Sequence, residues 1–181
     1  MTFAEILARA FGPPATSVRP ELEELAQQPE VPPELKELWA EHGWAGYADG
    51  FYWTTNPRES AELLRGWRRI PPSATVIGRG AFANLYLLEK DAVFQLNPHH
   101  NDHDQVASNL GQFYRICVAE PTFQDGYMWK DLFKQALAAH GAVAIDECYG
   151  FFPALKLGGS DDVGSIRRVK MHEHLMFLAQ L

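Results

Sequence analysis

The sequence has little cysteine, no excess of basic charge and no long apolar run, and each shortage narrows what the protein can do. Its two cysteines, Cys117 and Cys148, sit among apolar or aromatic neighbours without CxxC spacing, so a reduced and partly buried state is expected for both. Lysine and arginine total 16 against 23 acidic residues, for a formal net charge of −7. Phosphate binding needs a basic stripe, so no direct nucleic-acid contact is expected, whereas an acidic surface steers encounters with a basic protein. No apolar stretch approaches the roughly 20 residues of a membrane-spanning helix. Residues 1–11 carry Glu5 and Arg9 in an amphipathic pattern, unlike the basic-then-apolar order of a signal peptide, and the cytoplasm is the expected location. GxSxG and HExxH are missing, as are internal repeats and low-complexity segments.

What is present is a globular composition. The 181 residues, 46% hydrophobic and 12% aromatic, suffice for a proper core in one domain or two small ones. Residues 2–10 read as a short helix stopped by Gly12-Pro13-Pro14, and residues 21–28 are helix-prone. After Pro32-Pro33, the residues Leu35, Leu38, Trp39 and His42 follow the i, i+3, i+4, i+7 pattern as far as Gly43. Residues 50–54 form an aromatic strand candidate. Asn56, Pro57 and Glu59 then supply a cap, a first-turn proline and the acid of a capping box. Leu63, Leu64 and Trp67 should face the core, and Pro71-Pro72 marks the expected internal boundary. Short β-rich runs follow at 74–77, 84–88 and 92–96, and residues 97–104 read as a polar loop. Leu110, Phe113, Tyr114 and Cys117 suggest a helix, and Trp129, Leu132, Phe133, Ala136 and Leu137 make the clearest stripe, closed by Gly141. Residues 166–169 suggest a strand and 171–181 a closing helix. The class is α+β, with small antiparallel sheets flanked by helices.

Three segments carry chemically suggestive patterns. Residues 77–86 place glycines as in the phosphate loop of a protein kinase, yet no strand lysine, HRD or DFG follows, so Gly78 and Gly80 read as a bulge or a tight turn. His99, His100 and His103 with Asp102 and Asp104 offer donors for zinc or nickel, which makes a metal- or ligand-sensing domain the rival function. Adjacent loop residues rarely converge on one ion, and a solvated loop is the plainer expectation. His172-Glu173-His174 puts its histidines on different helix faces and reads as an exposed helix start. No acid/base pair stands out, and no catalytic residue, metal ligand or cofactor is expected. Most of the five tryptophans should be core residues, with one or two left to anchor an interface.

Longer stretches resemble a known two-part arrangement. Residues 35–43 (LKELWAEHG), Gly50-Phe51-Tyr52-Trp53 and Asn56-Pro57 are similar to the GAD-like domain. Residues 79–87, 93–98 and 147–159 (ECYGFFPALKLGG), with Ile166-Arg167-Arg168-Val169 and His172-Glu173-His174-Leu175, resemble the C-terminal domain of type VI secretion immunity proteins of the Tdi type. The chain departs from the usual form at Asn84, where an acid before the strand is commoner. The resemblance implies a GAD-like region over 1–72 and an immunity-type domain over 73–181, packed together. It also implies a non-enzymatic protein that binds and neutralises a cognate toxin, with a DNase as that toxin. The acidic, exposed positions expected to meet such a partner are Asp49, Asp102, Asp104, Asp161 and Asp162.

Overall fold

Residues 85–88, Leu-Tyr-Leu-Leu, are apolar on both faces of a strand, and the fold buries both. The structure, a computed structural model, describes residues 1–28 and 30–181. Seven strands form one antiparallel sheet in unbroken chain order: β1 (Thr16–Val18), β2 (Trp44–Tyr47), β3 (Tyr52–Thr54), β4 (Thr75–Gly80), β5 (Leu85–Glu89), β6 (Ala92–Asn97) and β7 (Asp102–Ala107). A separate ladder pairs β8 (Glu147–Phe151) with β9 (Ile166–Lys170). Because side chains alternate along a strand, β5 feeds two cores. Tyr86 and Leu88 join one apolar cluster, Leu85 and Leu87 the other. The first cluster takes in α1 (Phe3–Phe11), Leu25 of α2 (Leu22–Ala26) and α3 (Pro33–His42). It also takes in α6 (Pro121–Gly126), α7 (Lys130–His140), and Phe113 and Tyr114 from the π-helical turn that extends α5 (Leu110–Gln112). The second is closed by Leu63, Trp67 and α8 (Met171–Leu178).

Local signals explain several helix starts. Thr2 and Glu5 form a reciprocal capping box, Glu5 N donating to Thr2 Oγ1 at 3.2 Å and Thr2 N to Glu5 Oε2 at 2.7 Å. At α4 (Pro57–Ala61), Asn56 Oδ1 accepts from Arg58 N at 3.1 Å and its amide donates to Glu59 at 3.3 Å, the arrangement that Asn-Pro-x-Glu predicts. The α+β class and the antiparallel pairing are as read from sequence. The larger sheet extends through both proposed parts, since Trp53 of β3 pairs with Arg79 of β4 across Pro71-Pro72.

Other readings need correcting. Residues 102–104 are strand, not loop. The run Asp-His-Asp-Gln-Val-Ala looks polar because β7 is an edge strand, a place where charge is favoured. β2, with the unpromising sequence Trp-Ala-Gly-Tyr, is held by tertiary contacts: Ala45 N donates to Thr54 Oγ1 at 2.8 Å. Gly46 is needed there because a Cβ would stand 2.7 Å from the Trp53 ring. His174 is buried rather than exposed, its ring lying where a Cβ on Gly150 would meet it at 2.6 Å. Trp129 stands outside α7, at its N-cap, in the left-handed region with φ 54°.

The turn from β4 to β5 fastens the two sheets together. Ala81 N donates to Phe51 O at 3.2 Å and Ala81 O accepts from Tyr149 N at 2.9 Å. Gly80 N and Ala83 N are taken up inside the turn, by Asn84 O and Gly80 O. A phosphate cradle requires free amides, so the kinase-like glycine pattern is a structural turn, with Gly78 beside a register shift. Phe82 at its tip stacks on Phe151 at 5.7 Å and meets Trp129 at 5.3 Å and Tyr149 at 5.5 Å. Phe82→Ala should therefore destabilise the chain by about 3–5 kcal/mol in urea unfolding, and a loss below about 1 kcal/mol would remove the turn from this central role.

Candidate protein-docking site

His99, buried at the turn after β6, organises one end of the molecule. Its Nε2–H donates to Phe82 O at 2.8 Å, so Nδ1 carries the lone pair, and that atom is buried without a partner. Burial, ahead of all other influences, pulls its pKa down to about 3, and the ring is neutral at physiological pH. It packs edge-on to Phe151 at 4.9 Å and lies 5.7 Å from Trp129. His174 nearby is likewise lowered by burial, to about 4. His100 is exposed and His103 bonds Glu89 at 2.6 Å on the sheet. The three histidines of the 99–104 segment therefore turn to different surroundings. Among the described residues no three His, Cys, Asp or Glu side chains are grouped to hold an ion.

Trp129 is set by two buried amides. Gln95 Nε2 and Asn84 Nδ2 both donate to Tyr127 O, at 2.7 and 3.0 Å, which fixes the chain just before the tryptophan. The neutral residue at 84, unusual by resemblance, has a physical role: a carboxylate there would have no proton to give.

Beside Trp129 opens a cleft of about 450 Å³, lined also by His100, Asp125, Asp131, Leu132, Gln135, Asp161 and Asp162. It adjoins a second hollow of about 320 Å³ through His100 and Asp161, where Lys156 and Ser160 contribute. Four carboxylates thus converge from α6, from the start of α7 and from the 158–162 turn. Two are engaged. Asp131 bonds Lys134 at 2.8 Å, which holds its carboxyl below the usual range. Asp162 is held low by the Ser160 hydroxyl and by the amides of Gly164 and Ser165, and so caps the 3₁₀ turn Val163–Ser165. Asp161 and Asp125 are exposed with no cation on them among the described residues.

Of the acidic positions expected from sequence, Asp161 and Asp162 meet in this cleft. Asp102, exposed on β7, lies close enough to Lys156 to act on its charge. Asp49 occupies a left-handed turn (φ 57°) elsewhere, near Tyr149, and Asp104 is exposed further along β7. Asp125 and Asp131 were missed, because on a helix their acidity looks like an ordinary solvated face. Both cysteines are free and buried, and burial pushes the Cys148 thiol up to about 12, so it supplies no thiolate. No helix among the described residues is long and apolar enough to cross a membrane.

Comparison with known proteins gives three findings. Residues 2–99 match the model of the GAD-like domain, and residues 107–181 match that of the T6SS immunity protein Tdi1, C-terminal. No curated protein matches. The crystal structure of Atu4351 from Agrobacterium tumefaciens aligns with a TM-score of 0.74 over 97% of this chain and 88% of that one, at 17% identity, a likeness of fold.

The variant Asn84→Asp tests the amide pair. An ionised carboxylate introduced at this position would face Tyr127 O, so its folded pKa is raised above the unfolded value. The variant should therefore approach wild-type stability below about pH 4 and lose roughly 1–3 kcal/mol as pH rises through the folded pKa. Chemical unfolding at pH 4 and pH 7 measures it; a pH-independent loss would show that the amide acts through packing alone.

Proposed function

Because the chain belongs to the GAD-like family and carries the C-terminal segment of the type VI secretion immunity family, we propose that it binds a cognate secreted toxin and neutralises it stoichiometrically. The observation that carries the location of docking is the convergence of Asp125, Asp131, Asp161 and Asp162 around Trp129. The toxin is a DNase in this reading, since a DNA-binding site is basic and an acidic cleft complements it. Protection requires no chemistry from the inhibitor, only slow release. An aromatic anchor ringed by polar groups is the arrangement that gives slow release, and Trp129, held by buried amides, is preorganised for it. Asp102 and Asp161 extend the acidic surface toward β7, while Asp49 and Asp104 lie further out.

Co-expression with the toxic domain of the partner effector, followed by co-purification, tests the role: rescue with a one-to-one complex is expected. For the surface, Asp161→Lys combined with Asp125→Lys should slow association about tenfold and flatten its salt dependence. Asp49→Lys should do much less. Unchanged association and salt dependence in the double variant would remove the cleft from the interface.

A further inference from the structure

On β4, Arg79 is one of the largest fully buried side chains, yet no carboxylate among the described residues lies within salt-bridge reach of it. Its guanidinium lies over the Trp53 ring, 4.8 Å from the centroid. It donates only to backbone carbonyls: Gly80 O at 3.3 Å, Ala144 O at 3.2 Å and Ile145 O at 2.9 Å. Burial pulls the pKa down to about 10, which leaves the group charged at neutral pH. Asp146 acts on it only from beyond contact distance, and a buried charge without a carboxylate in contact is costly, such charges being ordinarily paired.

Arg79 lines a cavity of about 630 Å³ between β1–β3, the start of α4, the start of α8 and residues 145–146. Its walls are apolar: Trp44, Trp53, Leu63, Ile145 and Met171. Trp44 brings a buried donor without an acceptor, its indole Nε1–H. The acids of the rim are already occupied, Asp146 by Lys170 at 2.6 Å, Glu62 by Arg65 at 2.8 Å and Glu59 by the Asn56 amide at 3.3 Å. His172, exposed, completes the rim. A hollow of this size, mostly apolar, with a buried guanidinium and with its hydroxyl and amide groups at Thr54, Thr55, Asn56 and Ser60 along one side, has the lining of a small-molecule site.

We propose that this cavity binds a small apolar carboxylic acid, its carboxylate against Arg79 and its hydrocarbon body against Trp44, Trp53 and Met171. A cation would be repelled by Arg79, and a neutral alcohol would leave the guanidinium charge unmatched. The site lies apart from the acidic cleft and is independent of the docking reading.

Titration calorimetry of the intact chain with octanoate, octan-1-ol and octyltrimethylammonium tests it. Octanoate should saturate one site per chain at least about tenfold more tightly than octanol, with no saturation by the ammonium ion. Arg79→Met should abolish the preference for octanoate over octanol. Should that variant fail to fold, Ile145→Trp, which fills the cavity from an exposed lining position and leaves Arg79 in place, should abolish octanoate binding. The proposal is overturned if octanoate does not saturate, binds no better than octanol or the ammonium ion, or binds the Ile145→Trp protein undiminished.

Discussion

The structure depends on how the turn at residues 80–84 is buried. One short segment bonds Phe51, just before β3, through Ala81 N, bonds β8 through Ala81 O, accepts the His99 ring at Phe82 O, and sets the Phe82 side chain between Phe151, Tyr149 and Trp129. These partners come from four separated parts of the chain: residue 51, residue 99, residue 129 and β8. The turn thus joins the segment matched by the GAD-like family to the segment matched by the immunity family. The amides of Gly80, Ala81 and Ala83 are bonded within the turn or to Phe51, so the glycine pattern that suggests nucleotide chemistry is occupied as a structural turn.

The same joint shapes the acidic cleft. Desolvation keeps His99 and His174 neutral, so they behave as flat packing groups under Trp129 and Phe152 rather than as proton carriers or ligands. The charged residues stand outside, on α6, α7 and the 158–162 turn. A neutral aromatic base thus lies beneath a solvated acidic rim, the division of apolar centre and polar edge on which the proposed docking rests. On the other side of the β8 connection, Arg79 is the reverse case, a charge placed inside and bonded to backbone carbonyls, with no carboxylate in contact among the described residues.

Much of the helical framework was legible in the sequence because its causes are local. Thr2 with Glu5, Asn56 with Pro57 and Glu59, and Gly43 and Gly141 after their helices act within a turn of the residues they control. The strands β4 to β6 were legible from β-rich composition. β1, β2 and β7 were not: the first two are too short to show a period, and the third is polar along an edge that needs no second apolar face. The burial of His99 and His174 was equally hidden, since an imidazole among acids looks solvated until aromatic rings from residues 129, 151 and 152 close over it.

The sequence by itself determined the α+β class, most helix limits, the acidic balance and, through motifs such as residues 35–43, the GAD-like family. Tertiary structure alone decided which acids share a surface. Asp125, Asp131 and Asp161 stand on different elements, and only the packing of α6, α7 and the 158–162 turn brings them around Trp129. It also decided that Arg79 is buried beside an apolar cavity, because burial depends on what the chain places opposite a strand some 65 residues later. Local chemistry is written in neighbouring residues; a site is written in distances that only folding creates.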